Sequence, residues 1–82
     1  MYKATVSVTL RNSILDPQGK AAHRSLNDLG LNKIEHVRIG KLIELNINAD
    51  TEEAAFDIAE TACTKLLANE VMEDFEITIH EQ

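Results

Sequence analysis

The sequence predicts an α+β domain in which two helices cover one face of a four-stranded antiparallel sheet, in the order βαββαβ. Three observations lead to this prediction. Four stretches alternate apolar and polar residues, two stretches carry apolar residues at helical spacing, and a chain of 82 residues has room for one domain only, residues 1–82. Helices with one apolar stripe and strands with one apolar face bury those surfaces together as a two-layer sandwich.

The first predicted strand begins the chain. Its apolar positions alternate with Lys, Thr, Ser and Arg residues, and they are Tyr2, Ala4, Val6, Val8 and Leu10. A period of two in a stretch rich in β-branched side chains indicates a strand with one buried face.

The first predicted helix opens at Asp16-Pro17. Asp16 is suited to accept hydrogen bonds from the free N–H groups of the first turn, and proline is favoured where no N–H is required. Gly30 is the expected stop, because glycine adopts the left-handed conformation without steric cost. The inward stripe is formed by Ala22, Leu26 and Leu29.

A β-hairpin is predicted for residues 34–48. Val37 and Ile39 alternate before Gly40-Lys41, and a second alternating stretch holds Ile43, Leu45 and Ile47. A two-residue turn would place apolar residues opposite charged ones. A bulge at Gly40, or a longer loop, would pair Ile39 with Ile43 and Val37 with Leu45, and we predict that arrangement.

The second predicted helix begins at residues 50–53, where a capping side chain is followed by two glutamates near the positive end of the helix dipole. It is expected to end near Asn69, and its buried stripe comprises Ala55, Ile58, Ala59, Ala62, Cys63, Leu66 and Leu67. A last strand holds Phe75, Ile77 and Ile79. Right-handed crossovers then give a ferredoxin-like sheet.

Charge and cysteine content exclude several classes of function. The net charge is −6 and the eight basic residues are scattered singly, which argues against nucleic-acid binding. No apolar run approaches the length of a membrane span, and no cleavable signal region is apparent at the N-terminus. A single cysteine, Cys63, excludes an internal disulfide and fits a reducing, cytoplasmic setting. Small domains without disulfides or metals are commonly stabilised by oligomerisation, so self-association is expected.

The residues offer little basis for catalysis. Gly19-Lys20 and Gly40-Lys41 lack the upstream glycine and the following Ser or Thr of a phosphate-binding loop. The histidines lie far apart without metal-ligand spacing, and Cys63 falls on a buried helical stripe, where a thiol behaves as a small apolar group. We therefore predict no catalytic, cofactor or metal site in this chain.

Two short stretches are more particular than a scaffold requires. Residues 15–21, Leu-Asp-Pro-Gln-Gly-Lys-Ala, place Gly19 inside the first helical turn, where alanine is better by up to about 1 kcal/mol. A close approach by another backbone would explain this glycine. Residues 37–41, Val-Arg-Ile-Gly-Lys, place two cations at the predicted hairpin tip.

With these two stretches, the opening strand and the C-terminal motif, the chain resembles the PurS family from end to end. The C-terminal motif is Leu-Leu-Ala-Asn at residues 66–69, followed by Val71 and by Glu-Asp-Phe at residues 73–75. Each motif alone is weak evidence, but all four, in this order and at these separations, are specific for the family. One departure is Glu70, where the family more often has proline, so the approach to the last strand is expected to be less rigid.

PurS is the small subunit of phosphoribosylformylglycinamidine synthase. The resemblance implies a non-catalytic subunit of a complex that converts formylglycinamide ribonucleotide, glutamine, ATP and water to formylglycinamidine ribonucleotide, glutamate, ADP and phosphate. The chain would bridge a PurQ-type glutaminase and a PurL-type synthetase, assist ammonia transfer between them, and form a homodimer or a dimer of dimers. ATP and magnesium would be used by the large subunit, with no cofactor here. The candidate partner-contact residues are Asp16, Gln18, Gly19, Arg38 and Lys41.

Two alternatives share the predicted element order or shape. A ligand-sensing domain of the ACT type has the βαββαβ order and binds an amino acid at a dimer interface. A small hydrolase of acylphosphatase shape requires a glycine-rich anion loop after the first strand, which the stretch Arg11-Asn12-Ser13 imitates only poorly.

Overall fold

The computed structural model describes residues 1–82 and has three strands, not four. The elements are β1 (Tyr2–Leu10), α1 (Pro17–Asp28), β2 (Lys41–Ile47), α2 (Glu52–Ala62), a five-residue π-helical turn (Cys63–Leu67) and β3 (Glu73–Glu81). The α+β class is confirmed. The predicted βαββαβ order and the four-stranded sheet are wrong, because the first arm of the expected hairpin does not form a strand.

The sheet is antiparallel throughout, with β1 at its centre and the order β2-β1-β3. Val6 lies opposite Ile43 on one side and Ile77 on the other. Apolar residues of all three strands therefore share one face, as the period of two in each strand predicts.

The core lies between this face and α2 with its π-helical turn. Ala55, Ala59 and Cys63 are fully buried against β1, where Ala4 and Val6 are also fully buried. The small side chains of the helix let its backbone approach the sheet closely. Only 10 of the 82 residues are buried, so the protomer by itself has a small core. No helix has both the length and the apolar character needed to cross a membrane.

The segment from residue 34 to residue 40 forms neither helix nor strand. Its polar groups have other partners: the Ile39 N–H donates to the Asp16 side chain, and the Arg38 guanidinium donates to the carbonyl of Leu10. The predicted bulged hairpin, with Ile39 opposite Ile43 and Val37 opposite Leu45, is therefore wrong, and β2 begins only at Lys41.

Helix α1 does not pack on the sheet, so the prediction of two helices on one face is also wrong. It packs instead on the returning segment, where the His23 ring lies 2.7 Å from the carbonyl oxygen of Ile34. We call residues 11–40 the arm. The molecule is correspondingly elongated, with extents of 50 × 27 × 13 Å and a radius of gyration of 16.0 Å, against about 12 Å for a compact chain of this length.

The predicted helix boundaries are largely confirmed. The side chain of Asp16 accepts the N–H of Gly19, Pro17 opens α1, and Gly30 follows its end with a φ of 88°. Thr51 caps α2 by accepting the N–H of Ala54. The end of α2 differs from the prediction, since the backbone widens after Ala62 into the π-helical turn before Asn69 is reached.

Candidate functional site

The arm meets the sheet at a small region that holds all five predicted contact residues. We call it the joint: the end of β1 (residues 8–11), the start of α1 (residues 16–20) and the segment 37–41. Two neighbouring cavities lie there and share Asp16 in their walls. The first also contains Gly19 and Arg38, and the second contains Gln18 and Lys41. Residues 19 or more positions apart in sequence are thus brought together.

Asp16 connects the two halves of the arm. One carboxylate oxygen accepts the N–H of Gly19 at 2.9 Å and caps α1, while the other accepts the N–H of Ile39 at 2.8 Å. Both oxygens are therefore engaged by backbone donors of the same chain. Asp16 serves to fix the returning segment against the helix start.

Gly19 is buried in the joint because the returning backbone crosses directly over it. A Cβ at this position would lie 2.3 Å from the carbonyl oxygen of Val37 and 2.6 Å from Oδ2 of Asp16. A backbone does approach Gly19 closely, as its place in a helical turn suggests, but the approaching backbone belongs to the same chain. This contact explains a glycine in a helical turn that would otherwise favour alanine.

Gly40 has a similar role, at a position where the sequence predicts a bulge or a hairpin loop. A Cβ there would lie 2.2 Å from the carbonyl oxygen of Val8 and 2.7 Å from Cγ2 of Thr9. The chain therefore passes close to the end of β1 at Gly40, immediately before β2 begins. The signal in the sequence was the repetition of Gly-Lys, at residues 19–20 and 40–41, in the two halves that form the joint.

The five candidate residues thus divide into two groups. Asp16 and Gly19 hold the joint together from within. Gln18, Arg38 and Lys41 are exposed on its surface, although Arg38 also donates to the carbonyl of Leu10. The first group sets the direction of the arm, and the second group offers side chains to a partner.

The hydrogen bonds to Asp16 have an electrostatic consequence. The backbone N–H of Ile39, followed by that of Gly19, favours the charged carboxylate and lowers the pKa of Asp16 below its ordinary value of 3.8. Partial desolvation opposes this effect, and the Arg38 charge adds to it. A carboxyl group whose pKa is lowered by folding stabilises the folded state above its unfolded pKa, and that stabilisation is lost as the pH falls through the folded pKa.

We expect the joint to loosen in acid for this reason. At pH values well above the ordinary pKa of 3.8 the contribution of Asp16 should be fully present, and it should decline as the pH falls through that value and then through the lower folded pKa. Asp16→Asn should be less stable at neutral pH and should lack this part of the acid-dependent loss. Urea midpoints measured from pH 2 to pH 7 for both proteins test the expectation.

Asp28→Asn is the matched control, because it removes a carboxylate from the same helix that makes no side-chain hydrogen bond in the structure. Its acid profile should follow that of the unaltered protein. An Asp16→Asn profile parallel to the unaltered one throughout would show that the bonds to Ile39 and Gly19 do not contribute to stability.

A second ordered turn lies next to the joint, at the C-terminal motif. Asn69 organises it: its side chain accepts the N–H of Val71, and its own N–H donates to the Glu73 side chain. Arg11 donates to the carbonyl of Glu70 and lies 3.4 Å from the carboxylate of Asp74. These hydrogen bonds close the turn even though it contains Glu70, at the position where the family more often has proline.

The side chains of the joint and of the C-terminal turn are suited to binding a partner and to holding the arm in position. Burial raises the pKa of the Cys63 thiol, with a smaller contribution from Glu60, so this group is neutral and enclosed in the core, as its place on the helical stripe predicts. No three His, Cys, Asp or Glu side chains are grouped as a metal site would require.

Comparisons with known proteins agree over the whole chain. The family described as "PurS: Phosphoribosylformylglycinamidine (FGAM) synthase" matches residues 3–81. The phosphoribosylformylglycinamidine synthase subunit PurS of Mycobacterium leprae is 48% identical, covering 100% of both chains. That of Methanocaldococcus jannaschii is 40% identical, covering 99% of this chain and 98% of the relative.

Solved structures show the same arrangement. The M. jannaschii PurS crystal structure gives a TM-score of 0.89 at 40% identity and covers 100% of this chain and 99% of that one. A chain of the structure of PurLQS from Thermotoga maritima gives 0.88 at 32% identity, covering 96% of each. Scores of this size over nearly the whole length include the arm, so an α1 standing away from its own sheet is a shared feature.

Proposed function

The chain belongs to the PurS family, and we propose that it is the non-catalytic small subunit of a phosphoribosylformylglycinamidine synthase. In this role it bridges a PurL-type synthetase and a PurQ-type glutaminase and assists the passage of ammonia between them. The synthetase binds the ATP and magnesium, and this chain holds no cofactor. The complex works in the cytoplasm.

One observation carries the proposal: the motifs behind the family match converge on the joint and on the turn beside it. The polar groups at the centre of the joint bond to the chain's own backbone, and they hold the arm away from the sheet. A rigid joint with an extended arm suits a subunit that sets the distance and orientation of two larger proteins. The ligand-sensing alternative is not favoured, because the sheet lacks the fourth strand that its βαββαβ order requires.

Ammonia transfer gives the bridging role a physical purpose. Ammonia is small and is lost or protonated when it meets bulk water. A subunit that fixes two active sites in a set orientation and excludes solvent between them raises the fraction of ammonia that reaches the synthetase. No bond needs to be made or broken on the bridging chain itself.

Self-association follows from the same geometry. A helix with an apolar stripe must bury it against another element, and α1 leaves much of its surface and that of the arm tip uncovered. We define the arm-tip patch as Leu29, Leu31 and Ile34, whose side chains are exposed around Gly30. A second copy of the chain is the proposed occupant, which gives a homodimer or a dimer of dimers.

Reconstitution with the two partner subunits tests the proposal. Reversing Arg38 and Lys41 to glutamate should lower glutamine-dependent synthesis by about tenfold or more, because like charges placed across an interface oppose association. Synthesis from added ammonium chloride should fall much less. The two rates, measured at equal subunit concentrations, give the comparison.

Lys33→Glu with Lys65→Glu is the matched control, since it makes the same change of charge at two exposed positions outside the joint. It should leave both rates near those of the unaltered complex. An equal fall of both rates in the Arg38/Lys41 variant would argue for a purely structural role, and unaltered rates would remove these residues from the contact.

A further inference from the structure

The first of the two cavities at the joint is polar and has a volume of about 480 Å³, and the proposed bridging role uses only Arg38 among its exposed side chains. Its walls come from the turn after β1, the first turns of α1 and residues 35–38. Each of these parts contributes one cation: Arg11, Lys20 and Arg38 respectively. Two carboxylates, Asp16 and Glu35, complete the charged lining.

The charge of this cavity is opposite to that of the rest of the chain. With these residues set aside from the 8 basic and 14 acidic residues of the sequence, five basic and twelve acidic residues remain elsewhere. The negative charge of Asp16 is already met by the N–H groups of Gly19 and Ile39. Arg11 is likewise paired with Asp74, so the two remaining cations, Lys20 and Arg38, exceed the one free carboxylate of the lining, Glu35, by one.

The cations retain donors for a ligand. Lys20 is exposed and forms no salt bridge, and one of the terminal nitrogens of Arg38 is engaged by the carbonyl of Leu10, so the other guanidinium donors remain. Asn12 and Ser13 add neutral hydrogen-bond donors to the cavity. They lie in a turn that is closed by a hydrogen bond from the N–H of Ile14 to the carbonyl of Arg11. The site does not use the helix N-terminus, which Asp16 caps.

We propose that this cavity, which we call the basic cavity, binds a phosphate group, either free or carried by a small polar metabolite. Only 4 of its 14 lining residues are hydrophobic, which disfavours an apolar ligand. Its volume lies within the range of small-molecule sites, and guanidinium donors match the geometry of phosphate oxygens. The stretch Arg11-Asn12-Ser13, a poor match to a hydrolase anion loop, acquires a binding role here without catalysis.

Amide chemical shifts of the full chain test the proposal at constant ionic strength. Inorganic phosphate and ribose 5-phosphate are the probes, with ribose and sodium chloride as the uncharged and simple-salt references. Saturable shifts are expected at residues 11–14, 20 and 36–38, and neither reference should produce them. Tighter binding of ribose 5-phosphate would assign the phosphate to a metabolite, and equal or tighter binding of inorganic phosphate would assign it to the free ion.

Lys20→Gln should weaken the binding of either phosphate probe by about fivefold to tenfold, because it removes one charge-assisted contact. Lys65→Gln, an equal change of charge outside the cavity, should leave the binding unchanged. Both side chains are exposed, so neither change should alter the fold. The proposal is overturned by non-saturable shifts, by equal effects of the two substitutions, or by binding of a glutamate-rich peptide where neither phosphate probe binds.

Discussion

Replacing Gly19 with alanine is expected to lower the free energy of unfolding by about 1–3 kcal/mol, the usual cost of overpacking. Helix propensity alone predicts the opposite sign, since alanine is better than glycine in a helix by about 1 kcal/mol. The steric term dominates because the added Cβ would meet the backbone oxygen of Val37 at 2.3 Å. Urea unfolding at a fixed protein concentration measures the difference.

Ser25→Ala provides the control for helix propensity, because Ser25 is an exposed position in the same helix. That change should stabilise the protein slightly. A Gly19→Ala protein that is more stable than the unaltered one would mean that the arm does not cross Gly19 in solution. Gly19→Val should enlarge the loss, make the arm more sensitive to proteolysis and reduce glutamine-dependent synthesis in the reconstituted complex.

Changing Leu29 and Leu31 of the arm-tip patch to glutamine is expected to weaken self-association by about a hundredfold or more, given the 1.5–3 kcal/mol that burial of one such side chain contributes. Leu29 is 75% exposed and Leu31 49% exposed in the protomer. Their replacement should therefore leave the fold of the protomer intact. Sedimentation equilibrium should show a shift toward the 9.1 kDa monomer.

The double substitution Asn27→Gln with Asn32→Gln is the corresponding control, because it alters exposed polar residues close to the patch in sequence. Its association constant should match that of the unaltered protein. If the Leu29/Leu31 variant also keeps its association constant, a second copy does not occupy the patch. The patch would then be left for a different subunit.

Local sequence patterns predict those elements that are defined by a regular alternation of residues or by neighbouring capping residues. The period of two in residues 2–10 identified β1, and the Asp16-Pro17 pair identified the start of α1. The same period misled at Val37 and Ile39, where the backbone bonds to a side chain 23 residues away and not to a neighbouring strand. Alternation reports which side chains are buried, and it does not report which groups satisfy the backbone.

The position of α1 could not be predicted for a related reason. Its stripe of Ala22, Leu26 and Leu29 requires an apolar cover, and the sequence of one chain does not say whether the cover comes from the same chain or from a second copy. The sequence indicates where the joint lies more clearly than it indicates how the chain folds around it. Gly19 stands out because its presence in a helical turn needs an explanation, whereas Gly40 fits the predicted bulge or loop and so gives no sign of the close contact with β1.

The central place of β1 in the sheet has a consequence for synthesis of the protein. This strand is synthesised before its neighbour β3, residues 73–81, so its second edge stays unpaired until β3 has also emerged from the ribosome. Contacts between such distant segments close slowly, and a valine-rich edge that waits for its neighbour is prone to pair with another nascent chain. This strand order therefore makes nascent chains on one polysome prone to mispairing with one another.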